Sequence, residues 1–288
     1  MLSIGYFNDN NTCVYLEYNE GFTKYILERC QVQMNNNLTV VVLTKNEESN
    51  IVAVVQNAKQ AATEVLIVDS GSTDKTVRLA EENGAKVVYR AWDNDFAAQR
   101  NFALQHVKTE WVLYLDADER MNDDLLASVK NAVGHDKTCQ YSIKRKSVAF
   151  GQELNYGSLK PDFVPRLFKT KNVKWINKVH EKPVCADQLK ILNGYVRHYT
   201  YNSWEQWLAK FNQYTTIWAE DAFNNKKKST YLTAFLHAFF GFWHMLIVKK
   251  GICDGALGII LCFMHFFYTL TKYLKLIDLY RTNTKHGV

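Results

Sequence analysis

The sequence predicts an α/β fold with a mostly parallel sheet, an antiparallel extension and C-terminal apolar, basic helices, on three observations. Short β-branched apolar runs alternate with helix-like stretches between residues 38 and 116, and continuous apolar strands separated by helices imply a parallel sheet covered on both faces. After Asn131 this alternation breaks into mixed strand-like pieces. From Ser203 onward, aromatic and then apolar helical patterns take over.

The parallel strands are expected at "TVVVLT" (39–44), "EVLIVD" (64–69), "AKVVYR" (85–90) and "WVLYLD" (111–116), with helices from Glu47, from Asp74 and across "NDFAAQRNFALQHV". Right-handed crossovers bring the strand ends that precede helices to one edge of the sheet. That edge carries Thr44, Asp69 and Asp116. "CQYSIKRKSVAF", "FVPRLFK" and "LNGYVRHYTY" read as the antiparallel extension, which supplies His180, Glu181 and His198.

Ser203 followed by Gln206 is a capping-box arrangement,. The helix it opens runs through Trp204, Trp207, Phe211 and Trp218, expected in a core, to the lysine triplet 226–228. "YLTAFLHAFFGFWHMLIV" (231–248) then carries no formal charge. At 1.5 Å per residue it reaches roughly 27 Å, against about 30 Å of bilayer hydrocarbon. Thr233, His237, Gly241 and His244 make one polar stripe, and Gly251, Asp254, Gly258, Cys262, His265, Thr269 and Lys272 repeat it. Narrow polar stripes with lysines at the ends favour an interfacial hairpin, ahead of a transmembrane hairpin or a buried helical subdomain.

With 288 residues, 47% hydrophobic and three prolines, the chain holds one large domain or a domain plus an appendage and is not disordered. The six cysteines are scattered without a C-x-x-C pair, so a reduced, cytosolic setting is expected. "FNDNNTC" and "EYNEG" interrupt the first 34 residues, which do not resemble a signal peptide. Residues 1–36 are an extension of unassigned role, either an added strand and helix or a leader ahead of an alternative start at Met34. From Phe223 to Val288 nine Lys/Arg face two acids, a net +7, which leaves 26 basic and 27 acidic residues, net −1, elsewhere. Basicity concentrated in the most apolar segment points to an anionic membrane surface rather than to nucleic acid.

"YLDADERM" (114–121) packs Asp116, Asp118 and Glu119 into four positions. Two readings compete: an aspartate-capped helix start within "DERMNDDLLASV", and hard oxygen ligands for a divalent cation carrying phosphates. Asp116 and Asp118, two apart at a strand end, are expected on one side, with Glu119 opposite them, starting the next helix or orienting a neighbour. In "SGSTD" (70–74), Ser72 and Thr73 read as helix caps.

"VVVLTKNEESNI", "LIVDSGSTDKT", "RAWDNDFAAQRNFAL" and "WVLYLDADER" together resemble the nucleotide-sugar half of family 2 glycosyltransferases. "GSLKPDFVPRLFK", "VHEKPV" and "VRHYTY", followed by the aromatic helix and basic apolar tail, are similar to the lipopolysaccharide inner-core heptose β-1,4-glucosyltransferase subfamily. The resemblance implies the GT-A nucleotide-diphospho-sugar transferase fold, a mostly parallel Rossmann-like sheet with an antiparallel extension. It divides the chain into a catalytic domain over 37–200 (nucleotide-sugar half 37–120, acceptor half 121–200) and a membrane-associating helical region over 201–288.

It also implies roles. Thr44 and Asp69 would meet the uracil and ribose of a UDP-sugar; Glu47, Arg100 and Arg166 would lie on the donor, the arginines near its phosphates, although Arg166 reads equally as the partner of a neighbouring carboxylate. Asp118, with Asp116 and His198, would hold Mg²⁺ or Mn²⁺, Asp116 alternatively holding the ribose. Glu181 would be the general base of an inverting transfer, with His180 orienting it or the acceptor. The implied activity moves glucose or a related hexose from a UDP-sugar to a lipid-linked saccharide such as lipid A–core, at the cytoplasmic face of the inner membrane. A transferase for capsule or exopolysaccharide and a non-catalytic nucleotide-sugar-binding adaptor are the rivals. "YGSLKPD" (156–162) stands where the family has a Gly-Trp element, so the acceptor-side loop departs from the pattern.

Overall fold

A computed structural model describes residues 37–135, 139–178 and 181–285, together with three N-terminal strands. Those strands, β1 (Ser3–Phe7), β2 (Cys13–Asn19) and β3 (Phe22–Ile26), form an antiparallel sheet in the order β1-β2-β3. They belong to a separate compact unit, Met1–Asn36. An added strand and helix was one of two expectations for this segment; its described residues form three strands.

The second unit, Asn37–Val288, begins as predicted. β4 (Leu38–Thr44), α1 (Ile51–Lys59), β5 (Glu64–Asp69), α2 (Thr76–Glu82), β6 (Lys86–Tyr89), α3 (Phe96–His106) and β7 (Trp111–Asp116) alternate along the chain. β8 (Glu119–Met121), α4 (Asp123–His135), β9 (Cys139–Ala149), β10 (Gln152–Glu153), β11 (Asp162–Lys169), β12 (Lys174–Ile176), β13 (Lys182–Val184) and β14 (Gln188–Tyr201) follow. Described strands make a nine-stranded sheet in the order β6-β5-β4-β7-β11-β9-β14-β8, with β10 beside β9. The first four pair in parallel. β11 runs antiparallel to both its neighbours, β7 and β9, and so turns the parallel sheet into the extension.

Alternation along the strands sends side chains to two cores. Val40, Val42, Ile67, Leu113 and Leu115 pack with α1 and α4, whereas Val41, Leu66, Val68, Val112 and Tyr114 pack with α3, Phe168 and Trp175. Both faces are covered, which is why these strands read as unbroken apolar runs. The helical pattern from Glu47 starts later than expected: the backbone N–H groups of Asn50 and Ile51 both donate to the Glu47 carbonyl at 2.9 Å, closing a turn before α1.

Three helices follow: α5 (Trp204–Asn224), α6 (Tyr231–Trp243, continued by a π-helical turn His244–Val248) and α7 (Gly255–Lys285). The Ser203 hydroxyl caps α5 by accepting from Gln206 N at 3.2 Å, and Gln206 reaches back to Asn202 N at 2.9 Å, one residue earlier than in a capping box. Trp207 is buried, but Trp204 is exposed and stacks on Phe150, ring centroids 4.0 Å apart. The two polar stripes face each other: His237 stacks on Tyr273, and Gly241 lies against His265 and Thr269. The segments Tyr231–Val248 and Gly251–Thr282 are long and apolar enough to cross a membrane, and most of their residues are not buried within the protein.

Candidate active site

The strand ends converge as the topology requires. Thr44 ends β4 beside Asp69 at the end of β5, both buried, with the threonine hydroxyl 3.5 Å from the carboxylate. The remaining capacity of Asp69 goes to its own loop: Oδ2 accepts from the N–H of Gly71 at 2.9 Å and of Ser72 at 3.0 Å, and Oδ1 from the Ser72 hydroxyl. Gly71 sits at φ +94°, a left-handed conformation that side chains disfavour, and this lets the loop fold back on the carboxylate,. Asp69 therefore shapes the loop that a nucleotide would meet.

Ser72 and Thr73 are not the helix caps expected of them. The Ser72 hydroxyl accepts from Asn46 N, and Asn46 Oδ1 accepts from Thr73 N at 2.8 Å, tying the β5–α2 loop to the β4–α1 loop. Lys75 is the N-cap of α2, without a side-chain capping bond, and Asp74 closes a turn ahead of it, accepting from Thr76 N at 2.9 Å. Next to these loops lies a pocket of about 250 Å³, lined by Thr44, Glu47, Ser70, Trp92, Phe96 and Gln99 among others. Burial pushes the Glu47 carboxyl up; the Asn50 hydrogen bond opposes this, and the nearby Asp118 charge adds to it. Trp92 and Phe96, centroids 4.6 Å apart, were not foreseen. The aromatic pair in "AWDNDF" after the third strand was the available signal.

"DADER" divides differently from the expectation. β7 ends at Asp116, residues 117–118 form a turn, and Glu119 opens β8. Strand alternation does not run through a turn, so Asp116 and Asp118 meet different partners, whereas Asp116 and Glu119 share one. Arg166, 5% exposed, donates through Nη2 to Asp116 at 2.6 Å and to Glu119 at 3.1 Å, and through Nη1 to Asp116 at 3.3 Å. Fully buried Glu119 also accepts from Asp116 N at 3.0 Å. The helix-start reading of the motif is corrected with it: α4 is capped by Asn122, whose side chain accepts from Leu125 N at 3.2 Å.

Burial works against a charge on Asp116, but Arg166, and behind it Arg100, hold its carboxyl far below the usual carboxylate range. Burial pushes Glu119 the other way, with Arg166 opposing and the Asp116 charge adding. Arg100, 4% exposed on α3, lies 3.4 Å from Asp116 and 3.5 Å from Glu181. Its guanidinium packs over the rings of Trp175 and Tyr114 at 4.7 and 5.3 Å. Its Nε and Nη1 have no hydrogen-bond partner among the described residues.

Asp118 faces His198 on β14, with Nε2 3.2 Å from Oδ2. Burial lowers the imidazole pKa, but the hydrogen bond and charge of Asp118 outweigh it, so His198 is raised above its ordinary value. Of the three groups expected to hold a cation, Asp118 and His198 come together and Asp116 is held by Arg166. Among the described residues no three His, Cys, Asp or Glu side chains converge to hold a metal. A carboxylate and an imidazole do suit Mg²⁺ or Mn²⁺ when phosphate oxygens and water complete the coordination. His180 lies outside the described residues.

A mixed sheet with covered parallel strands, a pocket of about 250 Å³ at their ends and clustered acids and arginines beside it are the features of a glycosyltransferase of the GT-A fold. The Glycosyl transferase family 2 model matches residues 39–186, more than half of the chain, and the chain belongs to that family. It is 28% identical over 265 residues to an uncharacterized glycosyltransferase of Rickettsia bellii (strain RML369-C), covering 85% of this chain and 88% of the relative. It is also 28% identical over 175 residues to the SPbeta prophage-derived glycosyltransferase SunS of Bacillus subtilis (strain 168), covering 57% of this chain and 40% of SunS. Glucosyl-3-phosphoglycerate synthase from Mycobacterium tuberculosis, solved with Mn²⁺, UDP and phosphoglyceric acid, superposes with a TM-score of 0.35 at 18% identity, over 46% of this chain and 56% of that one.

Proposed function

We propose that this glycosyltransferase is an inverting, metal-dependent hexosyltransferase that moves glucose or a related hexose from a UDP-sugar to a lipid-linked saccharide. The observation that carries the reading is Glu181, held 3.5 Å from Arg100, which in turn stands 3.4 Å from Asp116 at the end of β7. A carboxylate is thereby fixed beside the strand edge where a donor sugar would lie. In the reaction the acceptor oxygen attacks the anomeric carbon, the bond from that carbon to the diphosphate oxygen breaks, and the acceptor proton passes to Glu181.

Thr44, the 69–72 loop and the Trp92–Phe96 pair would bracket the nucleoside, and Arg100, beside Asp116, would lie near the diphosphate. Arg166 and Arg100 keep Asp116 ionised, and Arg166 together with Glu119 would hold it oriented towards the donor. A divalent cation held by Asp118 and His198 would neutralise the charge that develops on the leaving diphosphate. His180, next to the base in the chain, would orient it or the acceptor.

The C-terminal hairpin supports a membrane-borne acceptor. Phe235, Phe239, Phe240, Trp243, Ile247 and Val248 are exposed on α6 and its π-helical turn, beside the lysines of the basic tail, a combination that suits the anionic cytoplasmic face of a membrane. The motifs around Arg166, Glu181 and His198 favour the inner-core heptose of lipopolysaccharide as acceptor. Mass spectrometry of the lipopolysaccharide core from strains with and without the gene tests this: loss of one hexose from the core is expected, and an unchanged core would sink the acceptor assignment.

A further inference from the structure

The sequence singled out one segment that the donor chemistry does not use, the divergent loop 156–162, and this loop lines a second cavity. It measures about 230 Å³, and its walls include Ser158 of the loop, Tyr201 at the end of β14, Trp207 and Tyr214 of α5, and His265 and Tyr268 of α7. We propose that this cavity is the acceptor subsite and that it binds one pyranose ring of the acceptor saccharide. The inference rests on the transferase reading above and deepens it by naming where the acceptor sits.

Four features carry it. First, the volume is below the roughly 300 Å³ at which pockets for drug-sized ligands begin, the scale of a single sugar ring. Second, Tyr201, Trp207, Tyr214, His265 and Tyr268 line the cavity beside Leu159, Leu261 and Met264, and aromatic rings with polar edges match a pyranose, apolar on its C–H faces and polar at its rim; an acyl chain has no use for the hydroxyls. Third, the hydroxyls of Tyr201, Tyr214 and Tyr268 make no hydrogen bond among the described residues although the rings share one cavity. Their proximity is felt electrostatically: burial, then Tyr214 and Tyr268, push the Tyr201 phenol up.

Fourth, the cavity adjoins the catalytic centre. Tyr201 lies three residues beyond His198 on β14, and the Lys210 ammonium, which donates to Thr200 O at 3.3 Å and sits over the Tyr201 ring at 5.3 Å, also interacts with Glu47 of the donor pocket. The rim is latched to the hairpin. Buried Asp254 accepts from the N–H groups of Asn155 at 3.0 Å and Tyr156 at 2.9 Å, and Gly157 N donates to Lys249 O at 2.9 Å. A hairpin resting on a membrane would thereby hold the sugar subsite at a fixed height above the lipid.

The test is saturation-transfer difference NMR on the full chain in a sugar-free zwitterionic detergent, with methyl α-D-mannopyranoside and sodium octanoate as probes and UDP binding measured by calorimetry on the same samples. Wild-type protein is expected to transfer saturation to the pyranose ring protons. Tyr214→Ala and Tyr268→Ala are expected to reduce that signal at least fivefold, Tyr268→Phe less, with UDP affinity unchanged in all three. Ring signals that are absent from the wild type, or that survive both alanine variants, overturn the assignment. Transfer to octanoate that the same variants abolish, without transfer to the mannoside, overturns it in favour of a lipid chain. Loss of UDP binding in the wild type would instead count against the donor reading and leave a positive mannoside result standing.

Discussion

Replacing Arg166 by methionine removes the shared partner of two carboxylates. Glu119, fully buried, would keep only Asp116 N at 3.0 Å and the more distant Arg145 at 3.9 Å; Asp116 would keep Arg100 at 3.4 Å. Breaking a buried ion pair on one side costs about 3–5 kcal/mol, because a charge is left without compensation. With a urea m-value of about 3 kcal/mol/M, the unfolding midpoint should fall by about 1–1.7 M. The double variant Arg166→Met/Glu119→Leu removes the stranded charge as well and should regain part of the loss, since apolar replacement of a whole buried pair is often neutral or stabilising. Urea titrations followed by tryptophan fluorescence measure both. A single-variant shift below about 0.3 M, or a double variant no more stable than the single one, would refute the claim that Arg166 is held in place as the counter-ion of Glu119 and Asp116.

Other expected outcomes follow from equally local features. Trp92→Ala removes an aromatic wall of the donor pocket and should weaken UDP binding about fivefold, from roughly 1 kcal/mol of lost aromatic contact, with calorimetry as the readout. Gly194→Ala should destabilise the domain by about 2–6 kcal/mol, combining left-handed strain with overpacking: the residue has φ +87°, and a Cβ there would lie 2.3 Å from Leu125 N. Gly151→Ala, at φ +80° in open space, should show only the backbone contribution of about 1–3 kcal/mol. Replacing Lys226 and Lys228 by alanine, and sparing Lys227, which lies over Trp218 at 5.1 Å, should weaken partitioning to anionic vesicles about 30-fold, from about 1 kcal/mol per lysine. Equal binding of wild type and variant to those vesicles would remove the basic patch from the membrane account.

The parallel half of the fold was legible because β4, β5 and β7 are buried on both faces and therefore apolar almost throughout, with helices between; these three and the more exposed edge strand β6 all fall where the runs lie. Thr44, Asp69 and Asp116 were legible as strand ends for the same topological reason. Pairings between distant segments were not. Arg166 is 47 residues from Glu119, and no local pattern announces that a buried glutamate opens a three-residue strand instead of a helix. In "DADERM" the acids look like caps because the turn at 117–118 is set by the pairing of β8 with β14, far along the chain. The aromatic pair of the pocket, Trp92 in the irregular loop after β6 and Phe96 at the first position of α3, sits where periodicity offers no guide. The cavity lined by Tyr201, Tyr214 and Tyr268 depends on α5 and α7 packing together, whereas the polar stripes paired α6 with α7 and did not foretell it.

The central claim, an inverting transfer with Glu181 as base, is tested most directly by comparing wild type and Glu181→Gln for UDP release from UDP-glucose in the presence of Mg²⁺ or Mn²⁺ and lipid A–core acceptor, with the anomeric configuration of the product read by NMR. The account predicts a β-linked product from the α-linked donor and a fall in turnover of about 10²–10⁴-fold in the variant, with UDP affinity retained. An α-linked product, or a Glu181→Gln enzyme that turns over at the wild-type rate, would contradict it.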